Sequence, residues 1–185
     1  MYRSIELARA RNYRDNLSWA LRTRFAGAHP DSVVGKDGRV DYDRPEHLDF
    51  SLDMIRSGIW GRDISAEVGA IVVDSLGTQR YPAGSFAWLP ADHLDLAQLQ
   101  RGDIVWFVLN PAQEKARKLR DDYGLVVGHI GIMGESWAGD SLALFHAASK
   151  DLSGEYKGGR VVSVDLETYL NRVERYAGVI ITRLE

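Results

Sequence analysis

The hydrophobic positions of the first 60 residues follow the spacing of helices. Apolar residues recur at near-helical intervals in the N-terminal segment: Leu7, Ala10, Leu17, Ala20, Leu21 and Phe25. This spacing predicts a helix over residues 4–27. After a polar loop, a second helix is predicted over residues 49–61, where Asp49 or Ser51 can serve as the N-terminal cap.

The later part of the chain consists of short apolar runs rich in β-branched and aromatic residues. These runs predict five strands: 104–109, 125–133, 142–146, 160–164 and 179–184. Two helices are predicted between them, over residues 111–123 and 167–176, while residues 66–76 fit either a buried strand or a helix. Helices followed by a mostly antiparallel sheet indicate an α+β fold, here as a single domain over residues 1–185.

Composition and charge exclude several classes of function. The chain is 45% hydrophobic and 26% charged, as in ordinary globular proteins. Its formal net charge is −3 and its basic residues are dispersed, so nucleic acid is not an expected partner. No apolar run approaches the roughly 20 residues that cross a bilayer, and residues 1–16 contain no signal-peptide segment. Either the chain is cytoplasmic or it has lost a leader, and we favour an extracytoplasmic location.

The residues that can carry chemistry are two histidines in strand-like surroundings. His129 and His146 each lie in an apolar run beside small residues. If the two runs pair as neighbours, one imidazole can act as a base and the other can orient it. The alternative is that both are strand histidines bonded to the backbone. His47, Asp49 and Asp53 fit no common metal-ligand spacing, so neither a metal nor a cofactor is expected.

Three motifs, in order along the chain, resemble the NlpC/P60 superfamily of papain-like cysteine peptidases. They are LQRGDIVWF at 99–107, GHIGI at 128–132 and FHAAS at 145–149. The WLP sequence at 88–90 and the C-terminal segment from Val161 are similar to the amidase-like branch known as domain of unknown function 1460.

This resemblance implies a papain-like NlpC/P60 core with N-terminal helices packed on a mostly antiparallel sheet. Residues 1–48 would form the N-terminal helix and loop, residues 49–61 the helix that carries the nucleophile, and residues 99–185 the sheet with the catalytic histidines. A helix N-terminus favours a thiolate nucleophile through its partial positive charge.

The activity implied by the resemblance is cleavage of an amide bond in bacterial cell-wall (peptidoglycan) peptide. His129 would be the general base, and His146 would orient it. Tyr42 would support the oxyanion, and Trp137 and Trp88 would line the substrate groove. No cofactor is implied.

At the nucleophile position the sequence departs from the family, because the chain has no cysteine. In one register Phe50 takes the place of the cysteine, and in the other Ser51 does. The Ser51 register puts Met54 and Ile55 at positions that the family buries, whereas the other register would bury Asp53, so Ser51 is favoured.

Several interpretations of Ser51 stay open. It can be an engineered or a natural replacement of cysteine, or only a helix cap. The chain is accordingly an amidase or endopeptidase of the Cys–His type with serine at the nucleophile position, or a catalytically inactive binding module. A third possibility is an acyltransferase or lipid-acting relative.

Overall fold

The computed structural model describes residues 6, 9–26, 28–44, 46–48, 52–76, 84–139 and 141–184. Residues 49–51 lie outside this set, and with them the candidate nucleophile Ser51. The chain divides into two compact units, Met1–Trp60 and Gly61–Glu185. None of the described helices is long and apolar enough to cross a membrane.

The first unit contains three described helices: α1 (Tyr13–Arg24), α2 (Pro30–Val33) and α3 (Leu52–Arg56). The predicted helix over residues 4–27 does not run unbroken, because a helix begins anew at Tyr13. Asn12 caps this start, since its side-chain oxygen accepts hydrogen bonds from the backbone N–H groups of Arg14 and Asp15 at 2.9 and 3.1 Å.

A small apolar cluster joins α1 and α2. Leu21 of α1 and Phe25, the residue that caps its C-terminal end, pack with Val33 of α2, and all three are buried. Leu17, which the helical pattern placed on the same face, is 56% exposed. In α3 three residues are buried, and they include the Met54 and Ile55 of the Ser51 register: Leu52, Met54 and Ile55.

The second unit alternates strands with two helices: β1 (Arg62–Asp63), β2 (Val72–Leu76), β3 (Gly84–Pro90), β4 (Ile104–Leu109), α4 (Glu114–Tyr123), β5 (Val127–Glu135), β6 (Leu142–Lys150), β7 (Tyr156–Val164), α5 (Leu166–Arg172) and β8 (Tyr176–Arg183). In the described part of the chain the strands form one sheet in the order β2-β3-β8-β4-β5-β6-β7, with β1 beside β8. All the pairings are antiparallel. The predicted α+β class, with a mostly antiparallel sheet, is confirmed.

Several element boundaries differ from the sequence prediction. The ambiguous segment 66–76 contains an edge strand rather than a buried one, and its Val73 is 69% exposed. The helix predicted over 167–176 ends at Arg172, and Tyr176 instead opens β8. Strand β3 was not predicted. These segments take their form from pairing with other strands, which local propensity does not contain.

Strand β4 lies at the centre of the sheet between β5 and β8, and all six of its residues are buried. On one face, Phe107 packs in a core cluster with Leu166 and Tyr169 of α5. On the other face, the Trp106 indole N–H donates to Thr182 Oγ1 at 3.0 Å. The face that carries Phe107 also carries the two histidines.

Candidate functional site

The two histidines singled out in the sequence contact each other directly. Nε2 of His129 on β5 lies 2.9 Å from Nδ1 of His146 on β6. Their ring centroids are 5.0 Å apart and the ring planes are nearly perpendicular, at 89°. The two strands pair at Ile132 and Phe145, and alternation along each strand brings both imidazoles to the same face of the sheet.

A bulge in β5 precedes His129. The register with β4 pairs Phe107 with His129 but Val108 with Val127, which leaves Gly128 as an extra residue. A Cβ on Gly128 would overlap the side chain of Leu109, so only glycine fits there without a shift. Bulges of this kind re-aim the neighbouring side chain and are common beside active sites.

A second bulge lies on the opposite side of β4. The register with β8 pairs Val108 with Gly178 and Leu109 with Tyr176, so Ala177 is the extra residue. Tyr176 thereby joins the face of His129, and the two rings stack with centroids 6.2 Å apart and planes 18° apart. Two bulges at the same level of β4, one in β5 and one in β8, therefore bring His129 and Tyr176 to the same face of the sheet.

Aromatic rings surround the histidine pair. Tyr169 of α5 contacts His146 edge-on, with ring centroids 4.6 Å apart. Phe107 lies 5.7 Å and Tyr169 6.4 Å from the His129 centroid. His146 is only 5% exposed. Such an enclosure removes water from the imidazoles and holds their orientation.

The enclosure keeps both histidines neutral. Burial, the neighbouring His146 and the positive charge of Arg175 together lower the pKa of His129 to about 4, with burial as the largest cause. Burial also lowers the pKa of His146, against the effect of a backbone hydrogen bond at Ala147. Near neutral pH, His129 therefore has a nitrogen lone pair free to accept a proton.

The buried phenols are neutral as well. Burial raises the pKa of Tyr169, and the nearby Tyr176 raises it further. Burial likewise raises the pKa of Tyr176, and the charge of Arg175 opposes that rise. Neither phenol is therefore an anion that would draw a proton onto His129.

One assignment of the ring protons leaves His129 able to act as a base. Because its Nε2 is engaged with His146, its remaining nitrogen is Nδ1. If Nε2–H of His129 donates to Nδ1 of His146, then Nδ1 of His129 is the proton acceptor. His146 then carries its own proton on Nε2, a buried atom without a hydrogen-bond partner among the described residues. The contact is compatible with either ring as the donor, and this tautomer is the one that leaves Nδ1 of His129 able to accept a proton.

A cavity of about 930 Å³ lies beside the pair. His129, His146, Tyr169 and Tyr176 line it, together with residues of the β6–β7 hairpin and of the loop that leads from α5 to β8. Its volume falls within the range of about 300–1,000 Å³ typical of small-molecule sites. The histidines can therefore act on a ligand held in this space.

The remaining predicted site residues are Ser51, Tyr42, Trp88 and Trp137. Ser51 is outside the described residues. Tyr42 belongs to the first unit, is 54% exposed and contacts His47 with ring centroids 5.2 Å apart. Trp88 lies in β3, where it pairs with Val72. Among the described residues it lines neither the cavity beside the histidines nor the groove that contains Trp137.

Trp137 is 70% exposed and lines a separate groove of about 600 Å³, where it contacts Phe145 with ring centroids 5.2 Å apart. The groove lies on the other face of β6, because Phe145 and His146 are adjacent on that strand. The substrate-binding roles of Trp137 and Trp88 stay predictions.

Sequence reasoning missed Tyr169, Tyr176 and Arg175. A signal for Tyr169 exists, because it follows Leu166 at a helical interval of three. Tyr176 was assigned to the end of a helix, and the bulge that turns it toward His129 depends on pairing between strands. The sequence gives no signal for Arg175, because only the tertiary structure places its loop beside the cavity.

The described residues contain no cluster of three or more His, Cys, Asp or Glu side chains that could hold a metal ion.

A comparison with family models, curated proteins and solved structures found no match for the chain.

Proposed function

We propose that the chain is an amide hydrolase of the Cys–His type in which serine occupies the nucleophile position. The observation that carries the proposal is the 2.9 Å contact between His129 and His146 on the wall of a ligand-sized cavity. A neutral imidazole oriented by a second polar group is an arrangement suited to a general base.

The proposed reaction is an acyl transfer. Ser51 Oγ attacks the carbonyl carbon of the scissile amide, and its proton passes to Nδ1 of His129. The imidazolium is stabilised by its Nε2–H bond to His146, and it then gives the proton to the leaving amine as the C–N bond breaks. Water next attacks the acyl ester with the same base, releasing a carboxylic acid and restoring Ser51.

The substrate class in this proposal is bacterial cell-wall peptide. Its support is the order of the three strand motifs, two of which contain the paired histidines. A serine hydroxyl is harder to deprotonate than a thiol, so a site shaped for cysteine turns over slowly with serine. We therefore expect weak activity in the chain as it stands.

The first test needs no substrate. The chain has no cysteine, so Ser51→Cys introduces a single thiol whose alkylation by iodoacetamide can be followed against pH. We expect that thiol to react as a thiolate below its ordinary pKa of about 8.5, and His129→Gln to abolish the effect. His93→Gln, a change at an exposed histidine outside the cavity, is the matched control.

The second test measures turnover. Ser51→Cys protein is incubated with purified muropeptides, and newly released amino groups are counted. We expect a gain over the parent chain, and a loss of at least about 100-fold on adding His129→Gln. An ordinary thiol pKa together with no amine release would sink the hydrolase proposal and leave a non-catalytic binding role.

A further inference from the structure

Three arginines line the cavity beside the histidine pair. Arg160 lies on β7, Arg172 ends α5, and Arg175 lies in the loop that leads to β8. All three are exposed, and none has a side-chain ion pair or hydrogen bond to another described residue. By contrast, Arg120 and Arg183 of the same unit pair with carboxylates outside the cavity.

Arg175 is the arginine most closely connected to the base. Its guanidinium carbon lies 5.8 Å from the ring centroid of Tyr176. The Tyr176 ring in turn stacks on His129 with centroids 6.2 Å apart. A cation held against this ring lies one aromatic layer away from the proposed base.

The loop that carries Arg175 is anchored to the end of the central strand. The backbone N–H of Asn110 donates to the Arg175 carbonyl oxygen at 2.9 Å. The Asn110 side-chain amide donates to the carbonyl oxygen of Glu174 at 3.0 Å. Two successive carbonyls are thus tied to β4, which fixes the point from which the arginine side chain extends.

The acidic residues of the cavity wall do not neutralise these arginines. Asp151 accepts hydrogen bonds from Ser153 and from the backbone N–H of Glu155, and Lys157 lies 4.0 Å from its other oxygen. Glu174 is exposed, and no hydrogen bond or ion pair of its side chain to a described residue is found. With Lys150 also in the wall, four cations face two anions there.

We propose that this cavity selects substrates that carry a free carboxylate, and that Arg175 is the residue that recognises it, with Arg172 and Arg160 adding positive potential. The forked guanidinium matches the two oxygens of a carboxylate and can donate two parallel hydrogen bonds to it. This inference names the substrate class of the proposed hydrolase and rests on that function.

The test measures binding alone, in Ser51→Ala protein that cannot turn over by the proposed route. N-acetyl-alanyl-alanine and its C-terminal carboxamide differ only in the carboxylate, and isothermal titration gives the affinity of each. We expect the acid to bind roughly 10-fold more tightly than the amide, as one charge-assisted hydrogen-bonded pair warrants. Raising the salt concentration to 0.5 M should reduce the preference, because the arginines are exposed.

Matched variants test whether Arg175 is the residue responsible for the preference for the acid. Arg175→Gln should remove the preference for the acid, while Arg117→Gln, at an exposed arginine of α4 outside the cavity, should leave it intact. Equal affinity for acid and amide, or an unchanged preference in Arg175→Gln, would overturn the inference. Tighter binding of inorganic phosphate than of the acid would also overturn it, since the site would then select phosphate.

The two proposals fail in distinguishable ways. A carboxylate preference that depends on Arg175 can persist when the thiol of Ser51→Cys proves unreactive, which would remove only the hydrolase. Turnover of neutral and acidic muropeptides at equal rates would remove only the carboxylate selection.

Discussion

Nε2 of His129 lies 2.9 Å from Nδ1 of His146, with the two imidazole planes nearly perpendicular at 89°. In this geometry the two rings meet edge-on, with Nδ1 of His146 facing Nε2 of His129. The contact fixes one nitrogen of His129 and leaves the other for proton transfer. In the proposed reaction His146 is accordingly a positioning residue that acts through His129.

Replacing His146 should reduce turnover without weakening substrate binding. In the Ser51→Cys background we expect His146→Ala to lower kcat about 100-fold with little change in KM, because the imidazolium of His129 loses its partner. His146→Asn keeps an acceptor oxygen and should recover about 10-fold of that loss. Steady-state kinetics on muropeptides separate the two constants; a rise in KM with kcat unchanged would assign His146 to binding instead.

Because folding lowers the pKa of His129, the free energy of unfolding should depend on pH. Its pKa falls from 6.5 to about 4 on folding, so between these values the unfolded chain binds a proton that the folded chain does not. Stability should therefore rise with pH from about 4 to 6.5 and level off above that window, with His129 contributing at most about 3 kcal/mol. Across this window Tyr169 and Tyr176 stay neutral, because burial raises the pKa of both phenols.

Urea unfolding at pH 4.5 and 7.0 measures this dependence. The loss of stability at the lower pH should shrink in His129→Gln, and His146→Gln should act in the same direction because burial lowers that pKa too. The same pH dependence in His129→Gln as in the parent would show that the imidazole at position 129 does not resist protonation.

Tyr169 supports the site through its ring. It is 7% exposed and contacts the rings of Phe107, His129, His146 and Tyr176. Tyr169→Ala should cost about 3–5 kcal/mol of unfolding free energy, and Tyr169→Phe less than about 1 kcal/mol, because the ring that makes these contacts is kept. Denaturant melts provide the comparison, with Tyr156→Ala, at a tyrosine 71% exposed, as the near-neutral control. Equal losses for the alanine and phenylalanine variants would contradict the packing role.

Gly178 allows β3 and β8 to approach closely beside the second bulge. A Cβ at this position would overlap the carbonyl oxygen of Leu89, and backbone atoms cannot move aside as a flexible side chain can. Gly178→Ala should therefore destabilise the protein by about 1–3 kcal/mol. Gly159→Ala is the control, because open space surrounds that glycine. Thermal unfolding of the two variants tests this, and similar Tm values would show that the strands can separate at little cost.

Several strands of the sheet could be predicted from the local pattern of apolar residues. The apolar run of β4 and the runs that became β5, β6 and β8 carry the composition of strands, and their antiparallel pairing followed from their order. Strand β3 and the extension of β7 to Tyr156 were missed, because their hydrogen-bond partners lie on other strands and are not contained in the local composition. The helix break before Tyr13 was also missed. It depends on the Asn12 cap, and the apolar residues on both sides of that cap follow a single helical spacing.

The sequence by itself determined that two histidines lie in strand-like runs with small neighbours, that no thiol is present, and that the chain folds as α+β. Only the tertiary structure decided that the imidazoles meet at 2.9 Å, that Tyr169 and Tyr176 enclose them, and that Arg175 faces the same cavity. The reason is that these contacts depend on strand register. Two bulges of one residue each, at Gly128 and Ala177, change which side chains share a face, and register is set by long-range pairing.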